Sequence, residues 1–324
     1  MRHSPGVARC VESSDKREGT SRRNLETSAR SRSTKGTPVN GHAENEEFAR
    51  LIDALNPWLG EVVIVGGWAH RLYRIHPVAQ EIAYGPIGTL DTDVAIPARL
   101  NVQGDDLRER LVANGFEEER LGQDKPPTAH YRLRDAETGF YAEFLTPLFG
   151  ADEGRDGKPK ATKRIAGVVS QQLRHLEMLL DDPWTVEIGE HNGYPVASSK
   201  QVRIANPVGF LAHKILIRSK RTRQKFAKDI LYIHDTLETF GAQLEVLSAE
   251  WNTKVKRRIH PRTAGKLSAR QKNSSAKSAT KFVRLLGSTR QEIFRQKRSA
   301  NVVISACARF LVMRCNHQCE RNGP

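Results

Sequence analysis

Val62-Val-Ile-Val-Gly-Gly-Trp-Ala-His70 and, after a gap, Leu90-Asp-Thr-Asp-Val-Ala-Ile96 are the two runs on which the fold of this chain turns. The first is a short apolar segment closed by Gly66-Gly67, the pattern of a buried strand entering a glycine turn. The residues that follow, Trp68 to Ile75, fit a helix whose first free N–H groups face whatever lies beside the glycines. The second run is strand-like and carries carboxylates at i and i+2. Alternation along a strand puts Asp91 and Asp93 on one face and Thr92 on the other. Adjacent carboxylates repel, so a positive group, most economically a divalent cation, is expected between them.

Working outward, residues 1–45 are rich in Ser, Arg, Thr, Gly and Glu, lack apolar periodicity and read as a disordered extension. Order is expected from Glu46, where Phe48, Leu51, Ile52 and Leu55 keep helical spacing until Pro57. Beyond Pro97, which closes the Asp-Thr-Asp strand, Leu107, Leu111, Val112 and Phe116 suggest a helix over 104–116. A hairpin follows, His130–Arg134 and Phe140–Leu145 about a turn at 135–139. Glu143 stands mid-strand among apolar neighbours, an expensive place for a lone carboxylate. It joins Asp91 and Asp93 if the two strands are neighbours, or faces solvent at a sheet edge; the cluster is the favoured reading.

Residues 150–168 read as a loop, with strands around Trp184–Ile188 and Tyr194–Ile204. From Pro207 the pattern turns helical. One helix runs to about Ser219, and Phe226, Ile230, Ile233, Leu237 and Phe240 mark an amphipathic second. Arg221, Lys225 and Asp229 fall one turn apart and suit a ladder, while Lys214 and Arg218 share a face. These charges are either a solvated surface or cations turned toward the carboxylates. His70 and His76 read as packing or surface residues.

The formal net charge of +15 is unevenly spread: residues 251–300 hold fifteen Lys/Arg against one acidic residue, whereas 46–250 are mildly acidic. Such a block suits a polyanionic partner, RNA or DNA, unless it is a solvated tail. The four cysteines (Cys10, Cys307, Cys315, Cys319) leave the middle of the chain empty, which argues against a disulfide scaffold. Cys315-Asn-His317-Gln-Cys319 carries zinc-type ligands at a spacing that matches no strong zinc pattern. With no apolar h-region at the N-terminus and no run long enough to span a bilayer, the expectation is a cytoplasmic protein with no membrane partner.

An apolar strand, Gly66-Gly67, a helix, Asp91-Thr-Asp93 and then Glu143 resemble, in that order, the nucleotidyltransferase superfamily that includes DNA polymerase β. Within it the chain is most similar to the stand-alone bacterial branch around the AbiEii-type toxins, which continue with a helical segment carrying Lys and then a Lys-Asp or Arg-Asp pair, here Lys214 and Lys228-Asp229. The resemblance covers roughly residues 46–240. It departs from the pattern in the 23 residues between Gly67 and Asp91, and in a Glu where Asp is commoner.

The resemblance implies an α+β fold with an α/β catalytic core: a mixed β-sheet nucleotidyltransferase domain flanked by helices (46–205), then a mostly helical, basic C-terminal region (206–324). It implies transfer of an NMP group from an NTP, ATP among them, to a macromolecular hydroxyl, with RNA such as tRNA favoured. A toxin–antitoxin or phage-defence setting with an antitoxin partner follows from the same likeness. Asp91, Asp93 and Glu143 would then be catalytic and hold two Mg²⁺ ions, or Mn²⁺ in their place. Gly66, Gly67 and Trp68 would bind the triphosphate through backbone N–H groups, with Lys214 and Lys228 neutralising it. Two readings stand beside this one: AMP transfer to a protein partner, and a catalytically inert nucleic-acid-binding or regulatory module on the same fold.

Overall fold

The computed structural model describes residues 41–258 and 261–263, apart from 103, 124–126, 155–156, 158–159 and 219–220. The extension before residue 41, the basic segment beyond 263 and the Cys315–Cys319 motif lie outside the described residues.

Helix α1 spans Gly41–Leu55. It begins ahead of Glu46 because Glu44, part of the expected polar extension, is buried in an ion pair with Arg71. Strand β1 is Val63–Val65, buried on both faces, and α2 (Gly66–Leu72) leaves it directly, ending in a 3₁₀ turn at Tyr73–Ile75. Strand β2 is Asp91–Ala95. Helix α3 (Leu107–Ala113) is shorter than expected, because Asp106 and Glu109 close a capping box at its start and Gly115, at φ +87°, stops it.

Strands β3 (Phe116–Leu121), β4 (Thr128–Leu133) and β5 (Tyr141–Pro147) follow, then β6 (Thr162–Ile165), β7 (Val168–Leu173) and the short α4 (Glu177–Leu180). After β8 (Trp184–Ile188) and β9 (Lys200–Ile204) come α5 (Pro207–Ile217), α6 (Arg223–Thr239) and α7 (Leu244–Glu250). Asn206 accepts from Val208 N at 2.8 Å to cap α5, with Pro207 as its first residue.

The sheet is mixed, in the order β3-β4-β5-β2-β1-β9-β8. Strand β7 pairs in parallel with the second half of β5, on the edge whose first half holds β4, and β6 pairs with β7. The β4–β5 hairpin forms as its alternation suggests. Three strands escape a pattern reading. In β3 only Phe116 is buried, and its partners are ionic: Glu117 with Arg134 and Glu119 with Arg132 across the pair. Strand β6 lies within the polar 150–168 stretch, and β7 carries Ser170-Gln-Gln172. Conversely, Tyr194–Ile204 contracts to its last five residues.

One apolar core runs from Phe48 to Val255. Phe48 stacks on Trp68 at 4.0 Å, and Phe140 meets Trp68 edge-on. Ile233, Leu237 and Phe240 of α6, Leu247 of α7 and Trp251 beyond it are buried in the same core, so the helices after Asn206 share it with the sheet. No helix among the described residues is long and apolar enough to cross a membrane.

Candidate active site

Strand β2 lies between β1 and β5, and its register assembles the site. Val65 is opposite Asp93 across β1–β2, and Asp93 is opposite Glu143 across β2–β5. Registered residues project to one side, so Asp91, Asp93 and Glu143 share a half-buried face while Thr92, Val94, Ala142 and Phe144 are buried on the other. Burial, and then the charges of Asp91 and Glu143, push the Asp93 carboxyl up to about 7, against a smaller opposing pull from Lys214 and Arg221. Burial followed by the Asp91 charge raises Glu143 as well. Asp91 accepts a short hydrogen bond from the Thr89 hydroxyl. Glu143 lies 2.6 Å from His130 Nε2 and accepts from Gln171 Nε2 at 3.2 Å.

The two glycines have separate causes. Gly66 sits at φ +64°, and a Cβ there would overlap the Asp93 carboxylate. A Cβ on Gly67 would lie 2.7 Å from the Thr89 side chain. The Trp68 ring is not at the site. It is buried against Phe48 with the Arg71 guanidinium 4.8 Å from its centre, which leaves only its backbone N–H in the first turn of α2.

The cations arrive from α5, from Arg221 ahead of α6 and from α6 itself. Lys214 is buried, with Nζ 2.6 Å from Asp229 Oδ1, and Arg221 Nε lies 2.9 Å from Asp229 Oδ2. Burial lowers the Lys214 pKa, and Asp229 works against that. The expected Arg221–Lys225–Asp229 ladder is therefore replaced. Arg221 precedes the helix, whose N-cap is Thr222, and reaches back to Asp229 while Lys225 is exposed. Lys214 Nζ is 5.0 Å from the Tyr232 ring centre, and Lys228 Nζ is 5.5 Å from it. The charges of Lys214 and Arg221 act on Asp93, and that of Lys225 on Glu143.

Residues 44–256 match the model of a family described as Nucleotidyltransferase. The chain belongs to this nucleotidyltransferase family. Among solved structures, an antigenic nucleotidyltransferase-like protein from Paracoccidioides brasiliensis is similar at 16% identity over 71% of this chain and 94% of its own, with a TM-score of 0.30. The nucleotidyltransferase toxin MenT4 from Mycobacterium tuberculosis H37Rv is similar at 10% identity over 86% and 90%, with a TM-score of 0.34. At these values neither likeness bears on substrate. No curated protein matches the chain.

Several residues of this nucleotidyltransferase's site escaped a reading of motifs. Thr89 lies at the end of the 76–90 connection, which is pinned to α6 by hydrogen bonds from the Tyr84 hydroxyl to Asp235 and Glu238. Nothing local marks it. His130 was findable in principle, because the hairpin register that pairs Tyr131 with Ala142 also sets His130 across from Glu143. His70 is a packing residue, fully buried 3.6 Å from Asp235 and drawn down to about 4 by burial. His76 stacks on Trp184 at 4.4 Å.

A divalent ion fits the donor set: three carboxylates on one face, with the Asp93 carboxyl raised by burial and by the charges of the other two. As they stand, no three His, Cys, Asp or Glu side chains among the described residues are grouped to hold an ion. Asp91 is turned onto Thr89 and Glu143 onto His130.

Proposed function

We propose that this enzyme transfers an NMP group from an NTP to a hydroxyl of a macromolecule, RNA such as tRNA in the first place, using Asp91, Asp93 and Glu143 to hold Mg²⁺. The observation that carries this reading is the register Val65–Asp93–Glu143, with Gly66 packed against the Asp93 carboxylate. The hydroxyl oxygen attacks the α-phosphorus, the bond to the β-phosphate oxygen breaks, and pyrophosphate leaves with the electron pair. Glu143 takes the hydroxyl proton. Backbone N–H groups of Gly67 and Trp68 hold the β- and γ-phosphates. Lys214 and Arg221, clamped by Asp229, keep a fixed positive potential over the site, and Lys228 meets the triphosphate at its rim. When bound, divalent ions acidify the attacking hydroxyl and stabilise the leaving oxygen.

The test is transfer from each α-³²P-labelled NTP to total RNA and to lysate protein, with and without Mg²⁺. Label on RNA that disappears with chelator and in Asp93→Ala is the expected result. Undiminished transfer by Asp93→Ala would sink the assignment, and label confined to protein would move the acceptor to a protein side chain. The likeness of Lys214 and Lys228-Asp229 to the AbiEii pattern extends the proposal to a toxin held in check by an antitoxin. Growth arrest on expression, absent in Asp93→Ala, is its readout.

A further inference from the structure

Sheet order gives the site a direction. Strand β1 and the Gly66-Gly67 turn lie on one side of β2, and β5 then β4 on the other. With the triphosphate at the glycine turn, the leaving pyrophosphate lies toward β1, and in-line displacement brings the attacking hydroxyl from the β5 side. The acceptor must then lie over β5 and β4. There the register lays two rows on the site face: Asp91, Tyr141 and Arg132 in one, and Asp93, Glu143 and His130 in the other.

The His130 and Tyr141 rings stack at 4.6 Å and 16°, and the Arg132 guanidinium, whose Nε donates to Glu119 at 2.8 Å and Nη1 to the Gly139 carbonyl at 3.2 Å, lies 5.6 Å from the centre of the Tyr141 ring. The side chains of His130 and Arg132 remain 20% and 42% exposed. The core does not require them, since Ala129, Tyr131, Leu133 and Ala142 fill the opposite face. A solvent-reachable column of two planar rings and a guanidinium thus adjoins the carboxylates, on the acceptor side.

We propose that Tyr141, His130 and Arg132 dock the terminal nucleoside of a single-stranded RNA acceptor, its base stacked on the ring column and its phosphate paired with Arg132, so that its 3′-hydroxyl lies over Glu143. This rests on the nucleotidyl-transfer reading. Stacking suits a nucleobase because every base presents a π-face, and the cation beside the rings suits the adjoining phosphate. A protein hydroxyl has no use for such a column.

The experiment titrates the full chain into a short single-stranded RNA bearing 2-aminopurine at its 3′ end, in Mg²⁺ buffer without NTP, and reads the quenching that stacking causes. Wild type and Tyr141→Phe should quench saturably. Tyr141→Ala should bind about 10-fold more weakly and lose most of the quench. Arg132→Ala should weaken binding, lower its salt dependence by about one phosphate contact and keep the quench. Quenching that survives Tyr141→Ala in a protein with an unchanged melting curve overturns the proposal, as does equal quenching of an internal 2-aminopurine. No turnover is needed, so the two readings fail separately. Transfer to RNA without 3′-end quenching removes the docking site alone, and quenching without transfer removes the chemistry alone. Transfer to protein with no quench overturns the docking site too.

Discussion

Gly66 shows how one residue can be under two constraints at once. Its positive φ is strained for any L side chain, and the space a Cβ would fill is taken by the Asp93 carboxylate. Gly66→Ala should therefore cost about 1–2 kcal/mol from backbone strain alone, and transfer should fall further than the lost stability explains. Gly60→Ala, where a Cβ meets nothing within 4 Å, is the control in the same thermal melts. Asp93 gives a pH prediction. Its folded pKa of about 7 lies above the ordinary 3.8, so its contribution to stability is present below 3.8 and is lost as pH rises through 7. His70 and His213, drawn down by burial to about 4 and about 3, have the opposite sign and favour the fold as pH rises through their unfolded value of 6.5. Comparison with Asp93→Asn separates the two effects. In chelator, the variant should gain stability relative to wild type between pH 5 and pH 8 in urea titrations. Mg²⁺ at about a hundred times its Kd should return about 2.7 kcal/mol to wild type at pH 8 and far less to the variant.

Among the elements, the α5–α6 pair is held by a buried charge cluster. Asp229 takes both Lys214 and Arg221, and the Lys214 and Asp229 side chains are only 7% and 5% exposed. Removing one partner strands a buried charge, so Asp229→Ala should lose about 3–5 kcal/mol in chemical denaturation. The double variant Lys214→Met/Asp229→Leu, which removes both charges and keeps volume, should recover most of that stability. It should remain poor in transfer, because the Lys214 charge beside Asp93 is gone and Arg221 has lost the carboxylate that fixes its position. Recovery of activity together with stability would make the pair purely structural.

Across the whole molecule, the apolar core runs to Val255, and the strongly basic segment lies largely beyond it. A chain ending at Thr263 should thus keep its melting temperature and NTP binding. It should bind RNA more weakly, and with a shallower dependence of log K on log salt than the full chain, because phosphate neutralisation releases fewer counterions. An unchanged salt slope would place the RNA contacts on the sheet and helices instead.

Local chemistry along the chain was enough for the apolar strand, the glycine turn, the Asp-Thr-Asp strand, the β4–β5 hairpin and the helical turn of the pattern after Asn206. Each is written in periodicity and turn residues within a few positions, and their order pointed to the nucleotidyltransferase family. Strands β3, β6 and β7 were hidden because cross-strand ionic and backbone pairing, rather than an apolar alternation, holds them. The neighbours of the carboxylates were hidden for a related reason. Thr89 reaches Asp91 from a connection pinned to α6, and Arg221 turns back from outside its helix onto Asp229. Gly66 could be read as a turn residue, but its contact with Asp93 exists only once β1 and β2 pair in one register. Periodicity reports which face a side chain takes on its own element; which faces meet depends on the packing of segments far apart in the chain, and that packing is where the site was made.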